Sequence, residues 1–282
     1  MLKSRLLKFS QFALVSLAFC YASNALAKIE LSGEFSQGGL ILGKTASGSK
    51  VELNDKPLKL SQDGQFVFAF SRDDQTNYLL VATAPDGTVT KKQFKPAKRE
   101  YKIDRVEGIA KKIMSPNVKN QQRAAKDSKQ VKQARAKVSD LPYFNQGFIA
   151  PRQSKITGVY GSQRFYNGKP KNPHYGVDYR GAVGAPVYAP AGGVVTLWVP
   201  DMFYSGGTLI IDHGFGLNST FLHLSASYVE VGQQVKQGDK IAAVGKSGRA
   251  NGPHLDWRMN WFDVRLDPQL AIKATPFKKA AL

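Results

Sequence analysis

Residues that could bind a metal ion or transfer protons alternate with apolar residues near the end of the chain. From His254 to Trp261 the polar side chains fall on one parity and the apolar side chains on the other. A period of two predicts a β-strand with one buried face. On the opposite face, His254 and Asp256 would place an imidazole beside a carboxylate. Together with His174 and Asp178 upstream, these groups indicate a zinc hydrolase.

His174 and Asp178 are four residues apart in a segment that also contains Gly176. This spacing puts both side chains on one face of a strand, and also on one face of a helix. Gly176 and the following Gly181 favour a strand or a loop. Zinc accepts imidazole nitrogen and carboxylate oxygen at about 2.0–2.2 Å, so the pair could supply two ligands.

The two remaining histidines of the chain are His213 and His223. His223 shares parity with Phe221, so on strict alternation its imidazole points the same way as an aromatic ring. It could therefore be either a buried structural residue or part of the site. His213 ends an apolar run just before Gly214, and we predict a structural role for it.

The first part of the chain, residues 28–105, has the pattern of an all-β domain. Short apolar or alternating runs at 51–53, 65–70 and 78–82 are separated by turn residues such as Asp63-Gly64. Strands at this spacing favour a small immunoglobulin-like β-sandwich. The segment contains no histidine, and we expect it to act as a spacer or a binding domain.

A strongly basic segment, residues 106–142, joins this domain to a second β-rich region, residues 143–272. Between Ala110 and Lys137 it holds nine basic residues and a single acid, Asp127. From Asn120 onward its Ala, Gln, Lys and Arg content predicts a helix. It could be a solvated connector or an electrostatic tether to an anionic surface. Residues 273–282 form a short basic tail.

The first 27 residues have the features of an export signal. Three basic residues precede an apolar run, and Ala25-Leu26-Ala27 fits a small-x-small cleavage site. The run is short for a bilayer span, although an uncleaved anchor is the alternative. The single cysteine, Cys20, would leave with the signal, so any metal site must use histidine and carboxylate ligands. No further long apolar segment follows, and we expect no transmembrane segment in the mature chain.

The formal net charge of +19 favours a polyanionic partner. Export makes nucleic acid an unexpected partner, whereas the wall carboxylates or lipid phosphates of an anionic envelope fit well. We therefore expect a periplasmic or secreted protein.

Residues 156–270 resemble the lysostaphin/LytM-type zinc endopeptidases, which cut the peptides of peptidoglycan. The resemblance rests on motifs that occur in the family's order: Tyr160-Gly161-Ser162-Gln163-Arg164, His174-x-x-x-Asp178 around Gly176, Gly184 to Ala189, Ile211 to Gly214, Phe221 to Leu224, Gly232 to Gly238 and Gly248 to Asp256. It implies an antiparallel β-domain with an open groove for residues 143–272. The expected fold class is therefore mainly β throughout.

Carried over to this chain, the resemblance implies that His174, Asp178 and Asp256 hold Zn²⁺. It also implies that His223 and His254 are catalytic, moving protons and stabilising the oxyanion. The family's chemistry is attack of a zinc-bound water on the scissile carbonyl.

Asp256 departs from the family pattern, which has a histidine at this position. Aspartate is a legitimate zinc ligand, but a second carboxylate cancels the remaining charge of the ion and makes it a weaker Lewis acid. Either a site of one histidine and two aspartates forms, or the site is damaged and the domain only binds. Retention of the other four residues favours the first outcome.

The leading prediction is an exported zinc metalloendopeptidase that hydrolyses peptidoglycan. One alternative is a non-catalytic regulator or binder of the cell wall that activates another wall hydrolase. Another is a structural envelope protein whose sandwich and basic linker carry the function.

Overall fold

The computed structural model describes residues 28–107 and 117–277. Strands dominate both described segments, which confirms the mainly β fold class expected from the sequence. The predicted export signal, residues 1–27, and the end of the basic tail lie outside the described residues. No helix in the described segments is long and apolar enough to cross a membrane.

Two antiparallel sheets form the N-terminal domain, and both lie within residues 28–107. One has the strand order β1-β2-β5 and the other β4-β3-β6-β7. Their bounds are Glu30–Ser32 (β1), Leu40–Lys44 (β2), Lys50–Leu53 (β3), Lys56–Leu58 (β4), Gln65–Ala69 (β5), Tyr78–Thr83 (β6) and Val89–Phe94 (β7). Phenylalanine rings from β5 and β7 pack together between the sheets, with Phe68 stacked on Phe94 at a centroid distance of 5.6 Å.

The β1-β2-β5 sheet is buried on both faces. Ile41 and Phe68 face the other N-terminal sheet, whereas Leu40, Leu42 and Val67 belong to the hydrophobic core of the C-terminal domain. A buried Leu or Val side chain contributes about 1.5–3 kcal/mol. The two domains therefore share a hydrophobic interface and are not independent units on a flexible linker.

The connecting segment is also packed against the C-terminal domain. Strand β8, Ile103–Val106, pairs in parallel with β10, Gln163–Tyr166, which also pairs with β11, Lys169–Pro170. Helix α1, Val118–Arg135, begins at Asn117, whose side chain accepts a hydrogen bond from the Asn120 amide. The helix lies against strands β14 (Gly193–Met202) and β15 (Gly206–Gly214) of the C-terminal sheet, so it is not a free connector.

Within the described residues, the C-terminal domain is built on one large sheet, whose main strand order is β17-β14-β15-β16-β19-β12-β9. A 3₁₀ turn, Tyr143–Gln146, precedes it, and β13, β18 and β20 pair at its sides. The bounds are Ile156–Gly158 (β9), Val177–Arg180 (β12), Pro186–Tyr188 (β13), Gly193–Met202 (β14), Gly206–Gly214 (β15), Leu217–Ser227 (β16), Gln234–Val235 (β17), Lys240–Val244 (β18), His254–Trp261 (β19), Val264–Leu266 (β20) and Pro268–Lys273 (α2).

Strand β19 lies inside this sheet, paired with β12 on one side and β16 on the other. Leu255, Trp257 and Met259 are each 0% exposed and form the core face that the alternation predicts. The intervening residues therefore share the opposite face, on which the candidate site is built.

Candidate metal centre

Two aspartates lie directly opposite each other on neighbouring strands. Asp178 of β12 pairs in register with Asp256 of β19, and cross-strand partners share one face of a sheet. Like charges in this position repel each other, so a cation bound between the two carboxylates would stabilise the pair. His174 comes from the loop before β12, where its Nδ1 lies 3.2 Å from the Val159 carbonyl oxygen. That contact turns Nε2 toward the two carboxylates.

The three side chains converge at distances that suit zinc. His174 Nε2 lies 3.1 Å from Asp178 Oδ1 and 3.5 Å from Asp256 Oδ2. Two ligands of a tetrahedral zinc ion are about 3.4 Å apart when each lies about 2.1 Å from the metal. Asp178 Oδ1 is buried, and within the described residues it has no hydrogen-bond partner other than the imidazole of His174, which leaves a lone pair for a metal. The donor set therefore fits a zinc ion.

Two glycines make room for the carboxylates. A Cβ atom on Gly176 would lie 2.2 Å from Asp256 Oδ1, and one on Gly158 would lie 2.1 Å from Asp178 Oδ2. Both distances are far below a van der Waals contact, so any side chain would displace a carboxylate. Gly176 belongs to the motif found in the sequence, whereas sequence reasoning missed Gly158, because only the pairing of β9 with β12 brings it to Asp178.

Arg258 holds the Asp256 carboxylate from the side. Its Nη2 donates to Asp256 Oδ2 at 2.6 Å, and its Nε lies 3.1 Å from both carboxylate oxygens. Burial alone raises the pKa of Asp256, but the charges of Arg258 and His174 outweigh it, so this pKa is lowered. Sequence reasoning assigned Arg258 no role, although its i+2 spacing from Asp256 in a strand puts both on one face.

His174 is held in a strongly negative environment. Burial lowers its pKa, but hydrogen bonding and charge from Asp178 and Asp256 more than offset this and raise it to about 10. The two carboxylates therefore favour positive charge at Nε2, which a proton or a metal ion can supply.

His223 reaches the same site through a backbone irregularity. Its φ of 63° is left-handed, and the register of β15 against β16 shifts at this point. Strict alternation would send the imidazole into the core with Phe221, whereas the structure directs it to the opposite side of the strand. The ring instead lies 4.8 Å from the His254 ring, centroid to centroid. A β-bulge is a common way to re-aim a functional side chain.

The two histidines present their Nε2 atoms in the same way. His223 Nδ1 lies 2.8 Å from the Ser247 carbonyl oxygen, and His254 Nδ1 lies 2.8 Å from that of Gly252. Because a carbonyl oxygen only accepts hydrogen bonds, Nδ1 carries the proton and donates it in this hydrogen bond, which leaves Nε2 as the basic nitrogen. Burial, the largest effect, lowers the pKa of His223. His254 Nε2 is 3.8 Å from Asp178 Oδ1, and the His223 ring packs beside the His254 ring. Both rings therefore lie next to the cluster of His174, Asp178 and Asp256.

His213 lies apart from this cluster, in the core beneath the sheet. Its Nδ1 contacts the Gly192 carbonyl oxygen at 2.7 Å, and its Nε2 contacts Ser219 Oγ at 2.8 Å. Ser219 Oγ in turn accepts from Trp257 Nε1 at 3.1 Å. These bonds connect three strands of the sheet and satisfy every polar atom of the imidazole, in line with a structural residue.

Comparison with known proteins identifies the domain that carries this site. Residues 172–268 match the sequence model described as Peptidase family M23. The segment is an M23 peptidase domain. This confirms the resemblance to lysostaphin/LytM-type peptidases that the sequence motifs carry.

Curated relatives resemble the chain over this region. Over 102 residues it is 41% identical to the peptidoglycan DD-endopeptidase ShyB and 38% identical to ShyA, both of Vibrio cholerae. Each match covers 36% of this chain and 23% of the relative. The chain thus matches about a quarter of the length of these relatives.

The similarity to a solved structure extends over both domains. A Pseudomonas aeruginosa protein described as a candidate M23 peptidase has a TM-score of 0.64 and 26% identity. The match covers 86% of this chain and 96% of that one. The N-terminal β domain and the peptidase domain therefore form an arrangement that also exists in another protein.

Proposed function

We propose that this protein is a zinc metalloendopeptidase that hydrolyses peptide bonds of peptidoglycan. The observation that carries the proposal is the convergence of His174, Asp178 and Asp256, in which the buried Asp178 Oδ1 has no hydrogen-bond partner in the described residues besides the histidines of the site. These three residues would hold the metal. Bound there, zinc would supply Lewis acidity and a water molecule of lowered pKa. The naming of the relatives as peptidoglycan DD-endopeptidases supports the substrate class.

His223 and His254 would act on the substrate from the same side of the sheet. Each has its Nδ1 directed at a backbone carbonyl, which fixes the ring and leaves Nε2 available, and His254 Nε2 lies 3.8 Å from Asp178 Oδ1. One imidazole would accept a proton from the attacking water, and the other would stabilise the oxyanion or protonate the leaving amine. Burial lowers the pKa of His223, which favours its neutral, proton-accepting form near neutral pH.

Arg258 resolves the electrostatic difficulty of a second carboxylate ligand. A ligand set with one histidine and two aspartates carries one more negative charge than a set with two histidines and one aspartate. The guanidinium of Arg258 supplies the opposite charge at hydrogen-bond distance from Asp256. We infer that the Asp256–Arg258 pair acts electrostatically as one neutral ligand, with Arg258 orienting the carboxylate as an outer partner.

The experiment compares the mature chain, from Lys28, with its Asp178→Ala variant. The natural protein should contain stoichiometric zinc by elemental analysis, and it should cleave purified sacculi in a chelator-sensitive way. The variant should lose both zinc and cleavage. Cleavage that survives in the variant would refute the assignment of Asp178.

The same ion pair also favours one alternative function. Because Arg258 already neutralises Asp256, the site could be stable without metal, and the domain would then bind the wall and activate another hydrolase. Activation of a wall hydrolase by metal-free protein, with no cleavage of its own, would support this alternative.

The export signal and the basic helix also enter the proposal. Residues 1–27 would direct the chain to the periplasm or outside the cell. Exposed lysines of α1, such as Lys119, Lys126 and Lys129, would attract the anionic envelope. Salt-sensitive binding to sacculi that is lost when these lysines become glutamine would support the tether, and unchanged binding would remove it.

A further inference from the structure

A cavity of about 550 Å³ lies between helix α1 and the sheet face that carries the candidate metal centre. Val131 and Arg135 line it from the helix, and Thr220, Leu222 and Arg258 line it from the sheet. Arg258 also binds Asp256, and Leu222 is the cross-strand partner of Asp256 on β16. The cavity therefore lies next to the candidate metal centre, on the side of Arg258 and Leu222.

The cavity contains a guanidinium with an unused donor. Arg135 Nη2 donates to Thr220 Oγ1 at 2.9 Å, but its Nε is buried without a hydrogen-bond partner among the described residues. An unpaired buried donor is costly, more so when it is charged. Burial, followed by repulsion from Arg265 and Arg258, lowers the pKa of Arg135 to about 10. The local field at this guanidinium is therefore positive.

The other charged groups of the cavity do not satisfy this donor. Asp127 accepts from the Phe203 amide at 2.7 Å, and the Arg258 charge is matched by Asp256. Asp263 also lines the cavity and favours the charged form of Arg135, but no hydrogen bond to it satisfies Nε. The remaining lining cations are Lys132, Arg135 and Arg265. Because Nε itself is closed to solvent, an acceptor from outside the protein would contact the Arg135 guanidinium where this side chain lines the cavity, beside Lys132 and Arg265.

We propose that this cavity binds a free carboxylate of the substrate peptide, with Arg135 as its main contact. The inference rests on the proposed peptidase function and names a subsite of it. Guanidinium and carboxylate form charge-assisted and often bidentate hydrogen bonds. Val131, Leu222 and Phe262 of the lining would contact small apolar groups next to the carboxylate. Helix α1 precedes the M23 segment 172–268, so a part of the chain outside that segment would contribute to substrate selection.

The test measures binding in a chain that cannot turn over substrate. The background is the mature chain with Asp178→Ala, so that zinc does not hold the probe. The probes are acetylated D-alanyl-D-alanine with a free carboxylate and the same peptide as its C-terminal amide. Isothermal titration should show the acid binding about tenfold or more tightly than the amide. Adding Arg135→Gln should abolish that preference.

Lys129→Gln is the matched control, because Lys129 lies exposed on the same helix outside the cavity. It removes the same charge and should keep the preference for the acid. Thermal unfolding separates binding from folding: Arg135→Gln relieves repulsion and should not lower Tm.

Equal affinity for acid and amide would overturn the proposal, as would binding of neither, or an equal loss in the Lys129→Gln protein. Zinc content and sacculus cleavage are measured separately in the natural chain. Failure of the peptidase proposal is therefore distinguishable from failure of the carboxylate subsite.

Discussion

The Asp256→His variant should bind zinc more weakly than the natural chain, although histidine is the commoner zinc ligand at such sites. In the natural chain, Asp178, Asp256 and Arg258 together carry one net negative charge. Replacing Asp256 by histidine removes a negative charge and leaves Arg258 without its partner beside the metal. The ligands and Arg258 together then carry no net negative charge to balance the divalent ion.

The size of the effect follows from the ion-pair geometry. Arg258 Nη2 is 2.6 Å from the proposed ligand oxygen, so its charge would lie about 5 Å from a bound ion. A unit charge and a divalent ion at about 5 Å repel by about 7 kcal/mol at an effective dielectric constant of about 20. The Arg258 side chain is 31% exposed and can turn toward water. Because this rotation relieves part of the repulsion, we expect the free energy of zinc binding to weaken by about 3 kcal/mol, which corresponds to a roughly 100-fold lower affinity.

The assay is a zinc competition titration against a chelator of known affinity. It compares the natural chain with Asp256→His, Arg258→Met and the double variant. Removing Arg258 as well restores one net negative charge, so the double variant should bind zinc nearly as tightly as the natural chain. Arg258→Met alone should keep its zinc but become less active, because two uncompensated carboxylates make the ion a weaker Lewis acid.

Arg180→Met is the control, because it removes an exposed charge from neighbouring strand β12 and should change zinc affinity little. The reasoning fails if Asp256→His binds zinc as tightly as the natural chain. It also fails if the double variant is no better than Asp256→His alone.

Three further outcomes test the surrounding structure. Gly176→Ala should weaken zinc binding, since its Cβ would lie 2.2 Å from a ligand carboxylate. Gly252→Ala is the control, because open space surrounds that residue, and it should leave zinc affinity unchanged. Equal zinc affinities for the two variants would contradict the prediction. Burial lowers the pKa of His213 to about 4. The neutral imidazole therefore contributes about 3 kcal/mol to the free energy of unfolding above pH 6.5, and this contribution is lost as pH falls toward 4. His213→Gln should flatten the dependence of the unfolding free energy on pH over this range. The same pH dependence in the variant and the natural chain would refute this role of His213. Leu42→Ala should cost about 2–5 kcal/mol. Leu42 packs in the core of the C-terminal domain, and Trp261 packs against both cores, so a shifted tryptophan transition in denaturant would support the shared interface and an unshifted one would contradict it.

Much of the fold and site can be predicted from local sequence pattern. The alternation in β19 predicts its core face because side chains alternate strictly along a strand. The four-residue spacing of His174 and Asp178 places both on one side of the backbone, and the motif order indicates the domain type. These inferences depend on residues close together in the chain, where backbone geometry alone decides which way side chains point.

Other features depend on contacts between distant segments. The register that sets Asp178 opposite Asp256 joins strands far apart in sequence. The left-handed conformation of His223 reverses the direction that alternation predicts, because a bulge in β16 accommodates an extra residue. No local pattern encodes either feature.

The domain interface is the clearest case of tertiary control. The continuous apolar run of β2 is compatible with burial on one face or on two, and only packing of the C-terminal core against Leu40 and Leu42 decides between them. Likewise, composition predicts that α1 is helical and basic but does not say what it covers. Helix propensity is a property of the local backbone, whereas the cavity beside Arg135 exists only because the sheet and the helix pack together.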